Sequence, residues 1–282
     1  MTNSSLQEIV CGLAQPAAGN PMQFMVEKAF TAAGIDWRYL TLEVGPHQLE
    51  DAIRGIRAIG LRGAAIGVPH KTMVMQHLDQ LTDDARLIKG VNWVFRQDDQ
   101  WIGDNTHGAA FERSLREIID PGQRNVVILG AGIVARSAAL KMAQAGASHI
   151  TVVSRSVDHG QQLVDEITEE LHVPARLVIW NNTYEVEATA EILVHATSMV
   201  GLDPHQGVPI QPKSLHDKLV VVDLTFNPSQ TQLLAKARAQ GCTTIDGLST
   251  YVHHVAMGFQ RWTEIEPDRA LMREALDEFL GF

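Results

Sequence analysis

Cysteine and positive charge are both scarce in this chain of 282 residues, and each scarcity excludes a class of protein. The only cysteines, Cys11 and Cys242, are far apart, which excludes a disulfide-rich scaffold and is typical of a reducing, cytoplasmic location. Asp and Glu outnumber Lys and Arg by 33 to 23, so the formal net charge is −10 at pH 7. Without surplus cations to neutralise phosphates, the chain is not expected to bind nucleic acid.

Long apolar runs are also missing. No uninterrupted stretch reaches the roughly 18 apolar residues of a transmembrane helix, so no membrane partner is expected. The N-terminus, MTNSSLQEIV, lacks the basic segment and apolar core of a signal peptide. Hydrophobic residues nevertheless make up 45% of the chain, which is enough to bury a large core in one or two domains.

A metal-binding pattern is absent despite 12 histidines. The adjacent pair His253-His254 points to different faces of a predicted helix and cannot easily share one ion. No HExxH sequence and no Cys/His ligand spacing occurs in the chain. We therefore predict no metal site.

The most informative motif is a glycine turn between a strand and a helix. The apolar run VVILG, residues 126–130, ends in the turn Gly130-Ala131-Gly132. A helical pattern begins at Ile133 and Val134. A second apolar run then ends in SRS, residues 154–156. This order is typical of the phosphate-binding half of a dinucleotide fold, in which the turn and the helix amides face a pyrophosphate. We predict a nucleotide site here, with a purely structural βαβ turn as the alternative.

Alternating apolar runs and helical patterns predict an α/β fold in two lobes. Residues 6–105 read β-α-β-α-β, which favours a largely parallel sheet. From Arg124 the alternation restarts with purer strands, as expected where both faces of a sheet are buried; these are VVILG, HITVVS, ARLVIW, AEILVHAT, KLVVVDLT and CTTID. Two helices are predicted after Gly247, the second beginning near Pro267 and Asp268. We place the lobes at residues 1–107 with 248–282, and at residues 108–247.

Several sequence blocks in this order resemble the shikimate dehydrogenase family over nearly the whole chain. In the first lobe they are AFTAAGIDWRYL, GAAIGVPHKTMVMQHLD, GVNWV and GDNTHGAAF; in the second they are LGAGIVARSAA, SRS, ATS, DLTFNPSQTQLLAKARAQG and GLSTYVHHVAMGFQRW. The resemblance implies an N-terminal α/β substrate lobe and a Rossmann lobe with a doubly wound parallel sheet. It also implies hydride transfer between NADP or NAD and a hydroxyl or keto carbon of a cyclohexene carboxylate.

The chain departs from the family pattern at several pocket positions while keeping Lys71 and Asn92. Where the family has Ser, Ser, Asn, Thr, Asp, Tyr and Gln, this sequence has Ala18, Asn20, Ala65, Gly67, His107, Phe226 and His254. Losing side chains that bind hydroxyls and a carboxylate weakens recognition of shikimate, because selective sites depend on such hydrogen bonds. We therefore expect a different substrate.

The resemblance makes Lys71 the general acid and base, with His107 as its partner. A partly desolvated ammonium has a lowered pKa and can exchange a proton during hydride transfer. A neutral imidazole at position 107 offers one donor and one acceptor in place of a carboxylate. The alternative is that this exchange abolishes turnover. Asn20, Asn92 and His254 are the expected polar contacts to substrate, although His254 could equally be a core residue.

Cofactor choice depends on the residues after the second strand of the Rossmann lobe. NAD-specific sites usually place a carboxylate there, whereas this chain has Ser154, Arg155 and Ser156. The guanidinium of Arg155 suits a 2′-phosphate, which favours NADP. Asp158, beside His159, could instead bind a 2′-hydroxyl, so NAD is the alternative. By resemblance, Thr197 and Gly247 join the cofactor-binding residues.

These observations predict an atypical shikimate-dehydrogenase-like oxidoreductase that uses NAD(P) and a ring carboxylic acid, a small-molecule partner, other than shikimate. The alternatives are a catalytically impaired dinucleotide-binding sensor and an enzyme that catalyses a non-redox reaction such as dehydration. The chain is expected to be a monomer or a homodimer, between which the sequence does not choose.

Overall fold

The computed structural model describes residues 7–197 and 207–282 of the chain. These residues form two compact units, one containing the chain up to Thr106 together with His254–Phe282, and the other containing His107–His253. Each unit has its own β-sheet.

The first unit opens with alternating strands and helices and continues into a β-hairpin. Its strands are β1 (Glu8–Ala14), β2 (Trp37–Glu43), β3 (Gly63–Ile66), β4 (Gln80–Leu81), β5 (Trp93–Gln97) and β6 (Gln100–Asp104). Its helices in this part of the chain are α1 (Met22–Ala33), α2 (Leu49–Ala58) and α3 (Asp83–Ile88), with 3-10 turns at Pro46–Gln48 and Met73–His77. Helix α2 buries Leu49, Ile53 and Ile56, the spacing of a single helix face.

Within the described residues, these strands form one six-stranded mixed sheet in the order β2-β1-β3-β5-β6-β4. Strand β1 pairs in parallel with β2 and β3, whereas β5 runs antiparallel to both β3 and β6. Trp93 therefore pairs with Ala65 on one side and with Asp104 on the other. This register brings the end of β3, the start of β5 and the end of β6 to the same end of the sheet.

The second unit repeats a strand–helix alternation around a parallel sheet. Its helices before the closing segment are α4 (His107–Arg116), α5 (Ile133–Gln144), α6 (Val157–Glu169) and α7 (Gln232–Ala239), with a 3-10 turn at Pro212–Ser214. Its strands are β7 (Asn125–Leu129), β8 (His149–Ser154), β9 (Ala175–Ile179), β10 (Ile192–His195), β11 (Val220–Asp223) and β12 (Thr243–Ile245).

Within the described residues, the second sheet has six parallel strands in the order β12-β11-β10-β7-β8-β9. Counted from β7, this is the 3-2-1-4-5-6 order of a doubly wound dinucleotide-binding fold. All four residues of β10 and of β11 are buried. Helices covering both faces of such a sheet leave the central strands no contact with water, which explains their continuous Val, Ile and Leu runs.

Two helices close the chain, α8 (Gly247–Thr263) and α9 (Arg269–Leu280). The division between the two units falls inside α8, between His253 and His254. Asp268 caps α9 by accepting hydrogen bonds from the amides of Ala270 and Leu271. Helix α9 packs against α1 within the first unit.

An indole cluster fixes the C-terminal half of α8 in the core of the first unit. The rings of Trp93 and Trp262 meet edge to face with centroids 4.4 Å apart. The Nε1 of Trp262 donates to the carbonyl oxygen of Val94 over 2.9 Å. Gly258 allows the helix to approach, since a Cβ there would lie 2.1 Å from the ring of Trp93.

The predicted α/β class and the Rossmann sheet are confirmed, and each of the six strands predicted after Arg124 is present. The parallel order of the first lobe holds for β1, β2 and β3, but the hairpin of β5 and β6 makes the sheet mixed. The sequence pattern did not predict this hairpin, whose turn contains Asp98 with a left-handed φ of 54°. An Asp in that conformation is a recognisable turn signal.

His107 and residues 248–253 group with the second unit, whereas the sequence analysis assigned them to the first lobe. Side-chain contacts also join the first part of α8 to α4 and to the residue that follows it. The hydroxyl groups of Ser114 and Thr250 are 2.8 Å apart, and His253 Nε2 lies 3.1 Å from a carboxylate oxygen of Glu117.

Among the helices of the described residues, none combines the length and the apolar composition needed to cross a bilayer.

We expect Gly258→Ala to lower the free energy of unfolding by about 1–3 kcal/mol, because the new methyl group overlaps the Trp93 indole. The matched control is Gly55→Ala in α2, where an added Cβ meets no atom within 4 Å. That change is expected to stabilise by about 0.5–1 kcal/mol, since alanine favours a helix. Urea denaturation of both variants measures the difference, and equal shifts in the two midpoints would contradict this packing.

Candidate active site

The polar residues of the first unit gather where β3, β5 and β6 meet. The amide of Ile66, the last residue of β3, donates to the carbonyl oxygen of Asn92 over 2.8 Å. The amide of Asn92 donates to the carbonyl oxygen of Asp104, at the end of β6, over 3.0 Å. The segments that follow β3 and β6, and the segment that precedes β5, are therefore neighbours at one end of the sheet.

Lys71 lies on the segment that follows β3. Its carbonyl oxygen accepts a hydrogen bond from the amide of Val91 over 2.8 Å, which fixes the backbone of Lys71 beside the start of β5. The side chain is partly buried, and burial lowers the pKa of its amine to about 8. An amine with this pKa exchanges its proton in the pH range where enzymes work.

His254 occupies the same region and is buried. Its Nδ1 lies 3.2 Å from Nε1 of Trp93 and 2.6 Å from the hydroxyl oxygen of Thr106. Burial, together with the positive charge of Lys71, lowers the pKa of His254 to about 3. The imidazole is therefore neutral at physiological pH, and its electrostatic coupling to Lys71 places the two groups near each other.

Asn92 lies between Thr106, the residue that contacts His254, and the segment that contains Lys71. Its Oδ1 accepts from the amide of Thr106 over 3.0 Å, and its Nδ2 donates to Oδ1 of Asn105 over 3.4 Å. Asn105 donates in turn to the carbonyl oxygen of Gly90 over 2.8 Å. These bonds hold the residues flanking β5 and β6 in a fixed arrangement around Thr106.

Asp104 is a buried carboxylate that anchors this end of the sheet. It accepts hydrogen bonds from the hydroxyl of Thr82 over 2.7 Å, from the amide of Asn105 over 2.8 Å, and from Nε of Arg261 on α8 over 2.8 Å. The Arg261 contact ties α8 to the end of β6. A buried carboxylate with several donors is satisfied, so we assign Asp104 a structural role.

For two of the positions that depart from the family pattern, the structure gives a local reason for the residue found there. The amide of Gly67 donates to Leu13, and a Cβ at position 67 would lie 2.6 Å from the Cβ of Ala14. A threonine therefore does not fit there without movement of β1. Asn20 is exposed, and its Oδ1 accepts from the amide of Met22 at the start of α1 over 2.9 Å. Asn20 thus supports the helix terminus, and Ala18 beside it is exposed.

In the second unit, the glycine turn lies between β7 and α5 as predicted. Gly130 has a φ of 117°, and a Cβ there would lie 2.9 Å from the carbonyl oxygen of Ala196. Gly132 is the N-cap of α5 and provides no side-chain acceptor. The amides of Ile133 and Val134 open the helix, so this end of α5 can receive an anion such as a pyrophosphate.

Thr197 lies beside the glycine turn at the carboxyl end of β10, within 3.2 Å of the position a Cβ on Gly130 would take. Its hydroxyl is 2.7 Å from Nε2 of His195, whose Nδ1 is 2.8 Å from a carboxylate oxygen of Asp223. Asp223 also accepts from the hydroxyl of Thr231 over 2.7 Å. Burial alone raises the pKa of Asp223, but its hydrogen bonds with His195, Thr231 and the amide of Thr225 outweigh burial and hold it below the usual value.

The turn after β8 carries the residues predicted to choose between NADP and NAD. The hydroxyl of Ser154 donates to the carbonyl oxygen of Ser156 over 3.0 Å and accepts from its amide over 3.1 Å. The hydroxyl of Ser156 caps α6 by accepting from the amide of His159 over 3.3 Å. Arg155 between them is exposed. No residue of 154–156 carries a carboxylate.

His107 begins helix α4, and Gly247 begins the part of α8 that belongs to the second unit. His107 is half-buried. A Cβ at Gly247 would lie 2.3 Å from the carbonyl oxygen of Thr225, so only glycine allows this approach to the segment after β11. In that segment, Phe226 stacks on Tyr251 with ring centroids 4.6 Å apart. Burial raises the pKa of Tyr251, which keeps its phenol neutral.

Two family models match this chain along its length. A model of the shikimate dehydrogenase substrate binding domain matches residues 19–94, and a model of shikimate / quinate 5-dehydrogenase matches residues 114–250. The chain belongs to the shikimate dehydrogenase family.

Individual proteins are similar to this chain over nearly their full length. Shikimate dehydrogenase (NADP(+)) of Methanopyrus kandleri is 38% identical, covering 91% of this chain and 90% of that protein. Ligand-free 5-ketofructose reductase of Gluconobacter has a TM-score of 0.93 at 35% identity, covering 98% and 99% of the two chains. Shikimate 5-dehydrogenase from Listeria monocytogenes, solved with shikimate and NAD, has a TM-score of 0.90 at 30% identity, with 96% of each chain covered.

These findings confirm the predicted family and its oxidoreductase class, and the relatives agree with an NAD(P)-dependent dehydrogenase. The roles of individual residues stay predictions. Structure adds four residues that the sequence analysis did not single out: Trp93, Thr106, His195 and Asp223. The last two could have been found, because they end adjacent parallel strands at the carboxyl edge where ligands of such sheets bind. Nothing in the sequence pairs Trp93 with His254, 161 residues away.

We expect Gly130→Ala to lower the free energy of unfolding by about 1–3 kcal/mol, because the residue keeps a positive φ and its methyl group meets the Ala196 carbonyl. Gly132→Ala is the matched control. Its φ is −76°, and an added Cβ meets no atom within 4 Å. Thermal denaturation of the two variants measures this, and equal destabilisation would contradict the proposed turn geometry.

Proposed function

We propose that this protein is an NAD(P)-dependent dehydrogenase acting on a hydroxy/keto ring carboxylic acid other than shikimate, with Lys71 as its general acid and base. The observation that carries the proposal is the partly buried Lys71 amine, whose pKa of about 8 allows proton exchange near neutral pH. Hydride addition to a ketone builds negative charge on oxygen, so a nearby ammonium that donates a proton lowers the barrier. In the oxidation direction the neutral amine accepts the hydroxyl proton.

Residues of the first unit form the proposed substrate site. Lys71, Asn92 and His254 are held within one hydrogen-bonded region at the end of the mixed sheet. The family's substrate-binding domain model matches the part of the chain that contains Lys71 and Asn92. Asn20 remains a proposed contact on the strength of its sequence position, although its Oδ1 already accepts from Met22.

The second unit supplies the proposed dinucleotide site, and its residues fit such a ligand. The open space beside Gly132, where an added Cβ would meet no atom within 4 Å, and the uncapped start of α5 both suit a close approach by phosphate oxygens. When bound, the nicotinamide donates or accepts the hydride. The turn Gly130-Ala131-Gly132 and the amides of Ile133 and Val134 hold the pyrophosphate, and Thr197 and Gly247 border the same edge of the sheet.

The residues after β8 favour NADP over NAD. Ser154 and Ser156 form a compact turn that presents the exposed guanidinium of Arg155. A guanidinium pairs well with a 2′-phosphate, whereas a carboxylate at the end of this strand would favour the 2′-hydroxyl of NAD. The related enzyme of Methanopyrus kandleri is named for NADP(+).

His107 is the proposed proton-relay partner of Lys71, on the basis of its position in the family motif. Replacing a carboxylate by an imidazole removes a negative charge, which favours the lowered pKa of Lys71. A neutral imidazole still supplies one donor and one acceptor for a relay. If the change instead prevents turnover, the protein is a dinucleotide-binding sensor.

A neutral polyhydroxy ketone is the second candidate substrate. The relative with a TM-score of 0.93 is named 5-ketofructose reductase, which indicates that this fold and a sequence 35% identical accept a keto sugar. Positions 18, 65 and 67 carry no hydroxyl group, so donors for a substrate carboxylate are lost there. A substrate without a carboxylate does not need them.

We expect the pH profile to follow Lys71. Reduction requires the ammonium, so kcat/KM for the ketone is level at low pH and falls about tenfold per unit above pH 8. Oxidation requires the free amine, so its kcat/KM rises up to about pH 8 and then levels. Lys71→Met is expected to lower kcat by about 100- to 10,000-fold. Hydroxy and keto ring acids and neutral ketoses, each tested with NAD and NADP, provide the substrates.

The matched control is Lys28→Met, which also removes one lysine charge from the first unit, but from an amine that contacts Glu278 and the ring of Phe24. It should retain kcat within about twofold, as surface pairs contribute little. Full activity in Lys71→Met would refute the proposed role of the amine. Tight NAD(P) binding with no turnover of any substrate would indicate the sensor instead.

Arg155→Ala is expected to raise the Kd for NADP by about 10- to 100-fold, since it removes charge-assisted hydrogen bonds to a phosphate. The Kd for NAD serves as the internal control and should change by less than about threefold, because NAD lacks the 2′-phosphate. Isothermal titration calorimetry measures both. Equal weakening of both cofactors would contradict the selective role of Arg155.

A further inference from the structure

Arg261, in the last turn of α8, contacts the end of β6. Its Nε donates to Oδ2 of Asp104, the last residue of β6, over 2.8 Å. Arg261 and His254 are seven residues apart, close to two full helical turns, so their side chains lie on the same face of α8. His254 contacts Thr106, two residues after Asp104. One face of α8 therefore holds the segment 104–106 at two points.

The two oxygens of the Asp104 carboxylate have different partners. Oδ1 accepts hydrogen bonds from the hydroxyl of Thr82 over 2.7 Å and from the amide of Asn105 over 2.8 Å. Within the described residues, the one donor to Oδ2 is Nε of Arg261. Because the Asp104 side chain is only 5% exposed, water cannot readily supply another donor. Removing the Nε–H would therefore leave a buried carboxylate oxygen unpaired, which is costly.

The hydrogen bond of Arg261 matters more than its charge. The Arg261 side chain is 51% exposed, and the Coulomb attraction of a pair that faces water contributes little. A directed hydrogen bond to a buried oxygen contributes more, because no other donor replaces it. The guanidinium carbon also lies 5.5 Å from the ring centroid of Phe95, so its charge acts on β5 rather than on the end of β6.

The residues that follow β6 carry polar contacts of the candidate substrate site. The amide of Thr106 donates to Oδ1 of Asn92 over 3.0 Å. The hydroxyl oxygen of Thr106 lies 2.6 Å from Nδ1 of His254. Both contacts depend on where Thr106 lies relative to α8 and to the start of β5. A displacement of the end of β6 would disturb both of them.

Two other contacts near this site do not involve the end of β6. The Nε1 of Trp262 donates to the carbonyl oxygen of Val94, which ties α8 to β5. The carbonyl oxygen of Lys71 accepts from the amide of Val91, which fixes the backbone of Lys71 beside the start of β5. Loss of the bond to Asp104 is therefore expected to leave both contacts in place.

We propose that Arg261 is a positioning residue that holds the residues after β6 against α8 by donating from Nε to Asp104. In this way it keeps Thr106 in contact with Asn92 and His254. That these contacts serve substrate rests on the proposed function, whereas the effect on Thr106 follows from the hydrogen bonds alone. Since the proposed catalytic lysine is fixed separately, Arg261 supports substrate binding rather than proton transfer.

Gln and Met side chains both end near the position of the arginine Nε, so they separate the hydrogen bond from the charge. In Arg261→Gln, the amide nitrogen takes the place of Nε and can still donate to Asp104. In Arg261→Met, a methyl group takes that place and no donor remains. Arg273→Met is the matched control, because Nε of Arg273 also donates to a carboxylate, that of Asp277, but only within α9.

Amide hydrogen exchange tests the positioning without any ligand. In Arg261→Met we expect the amide of Thr106 to exchange at least about 10-fold faster than in the wild type, because its bond to Asn92 opens more often. The amide of Ile66 donates to the carbonyl oxygen of Asn92 and serves as the internal reference, with an expected change of less than about threefold. Arg261→Gln and Arg273→Met should keep both rates within about threefold of the wild type.

Three results would overturn the proposal. Equal acceleration at Thr106 and Ile66 in Arg261→Met would indicate general destabilisation instead of positioning. Wild-type exchange at Thr106 in the same variant would show that the segment does not depend on Arg261. Acceleration in Arg261→Gln as large as in Arg261→Met would assign the effect to the charge over Phe95.

Kinetics test what the positioning does, with the ring acid or ketose of highest kcat/KM as the substrate. We expect Arg261→Met to raise KM by about 5- to 50-fold and to change kcat by less than about threefold, since substrate and transition state lose the same contacts. The pH profile that reports Lys71 should keep its wild-type midpoint. A fall in kcat at unchanged KM, or equal KM values in Arg261→Met and Arg261→Gln, would contradict the binding role.

The two sets of results separate this proposal from the proposed function. If no substrate turns over, the dehydrogenase proposal fails, and hydrogen exchange still decides whether Arg261 holds the end of β6. If turnover depends on Lys71 but Thr106 exchanges at the wild-type rate in Arg261→Met, the dehydrogenase proposal stands and the role of Arg261 is refuted.

Discussion

The antiparallel pairing of β5 with β3 and β6 is the constraint on which the candidate substrate site depends. Because Trp93 pairs with Ala65 and with Asp104, three chain segments that are distant in sequence end side by side. Lys71 follows the first of these segments, Asn92 precedes the second, and Thr106 follows the third. A shift of β5 by one residue would turn each of its side chains to the opposite face and dissolve this arrangement. The hairpin is therefore as important to the site as any single polar residue.

The two units differ in how their polar groups are satisfied at the candidate binding sites. In the first unit, buried polar groups satisfy one another, and the network that joins Asn92, Thr106 and His254 leaves few arrangements open. In the second unit, the start of α5 has no side-chain cap, so its amides stay available for an anion. Rigid polar contacts suit selection among small substrates. Open backbone amides suit a phosphate, whose charge is the same in every dinucleotide.

Two residues that depart from the family pattern, Gly67 and His254, each fit a particular neighbouring residue. Gly67 belongs with Ala14, because a side chain at either position takes the space of the other. His254 belongs with Trp93, which supplies the donor that a histidine at this position needs. At both positions a neighbouring residue fits the side chain that is present.

The sequence by itself determined the α/β class, the strands of the second sheet and the glycine turn, because these depend on local periodicity and on the conformational needs of glycine. Its resemblance to the family also predicts Lys71 as the general acid and base. Only the tertiary structure decided that Lys71 is partly buried, that β5 turns back against β3, and that Trp93 meets His254. These features arise from contacts between residues far apart in sequence, as where burial lowers the pKa of Lys71. No local pattern encodes such contacts, since their energy depends on which surfaces the folded chain brings together.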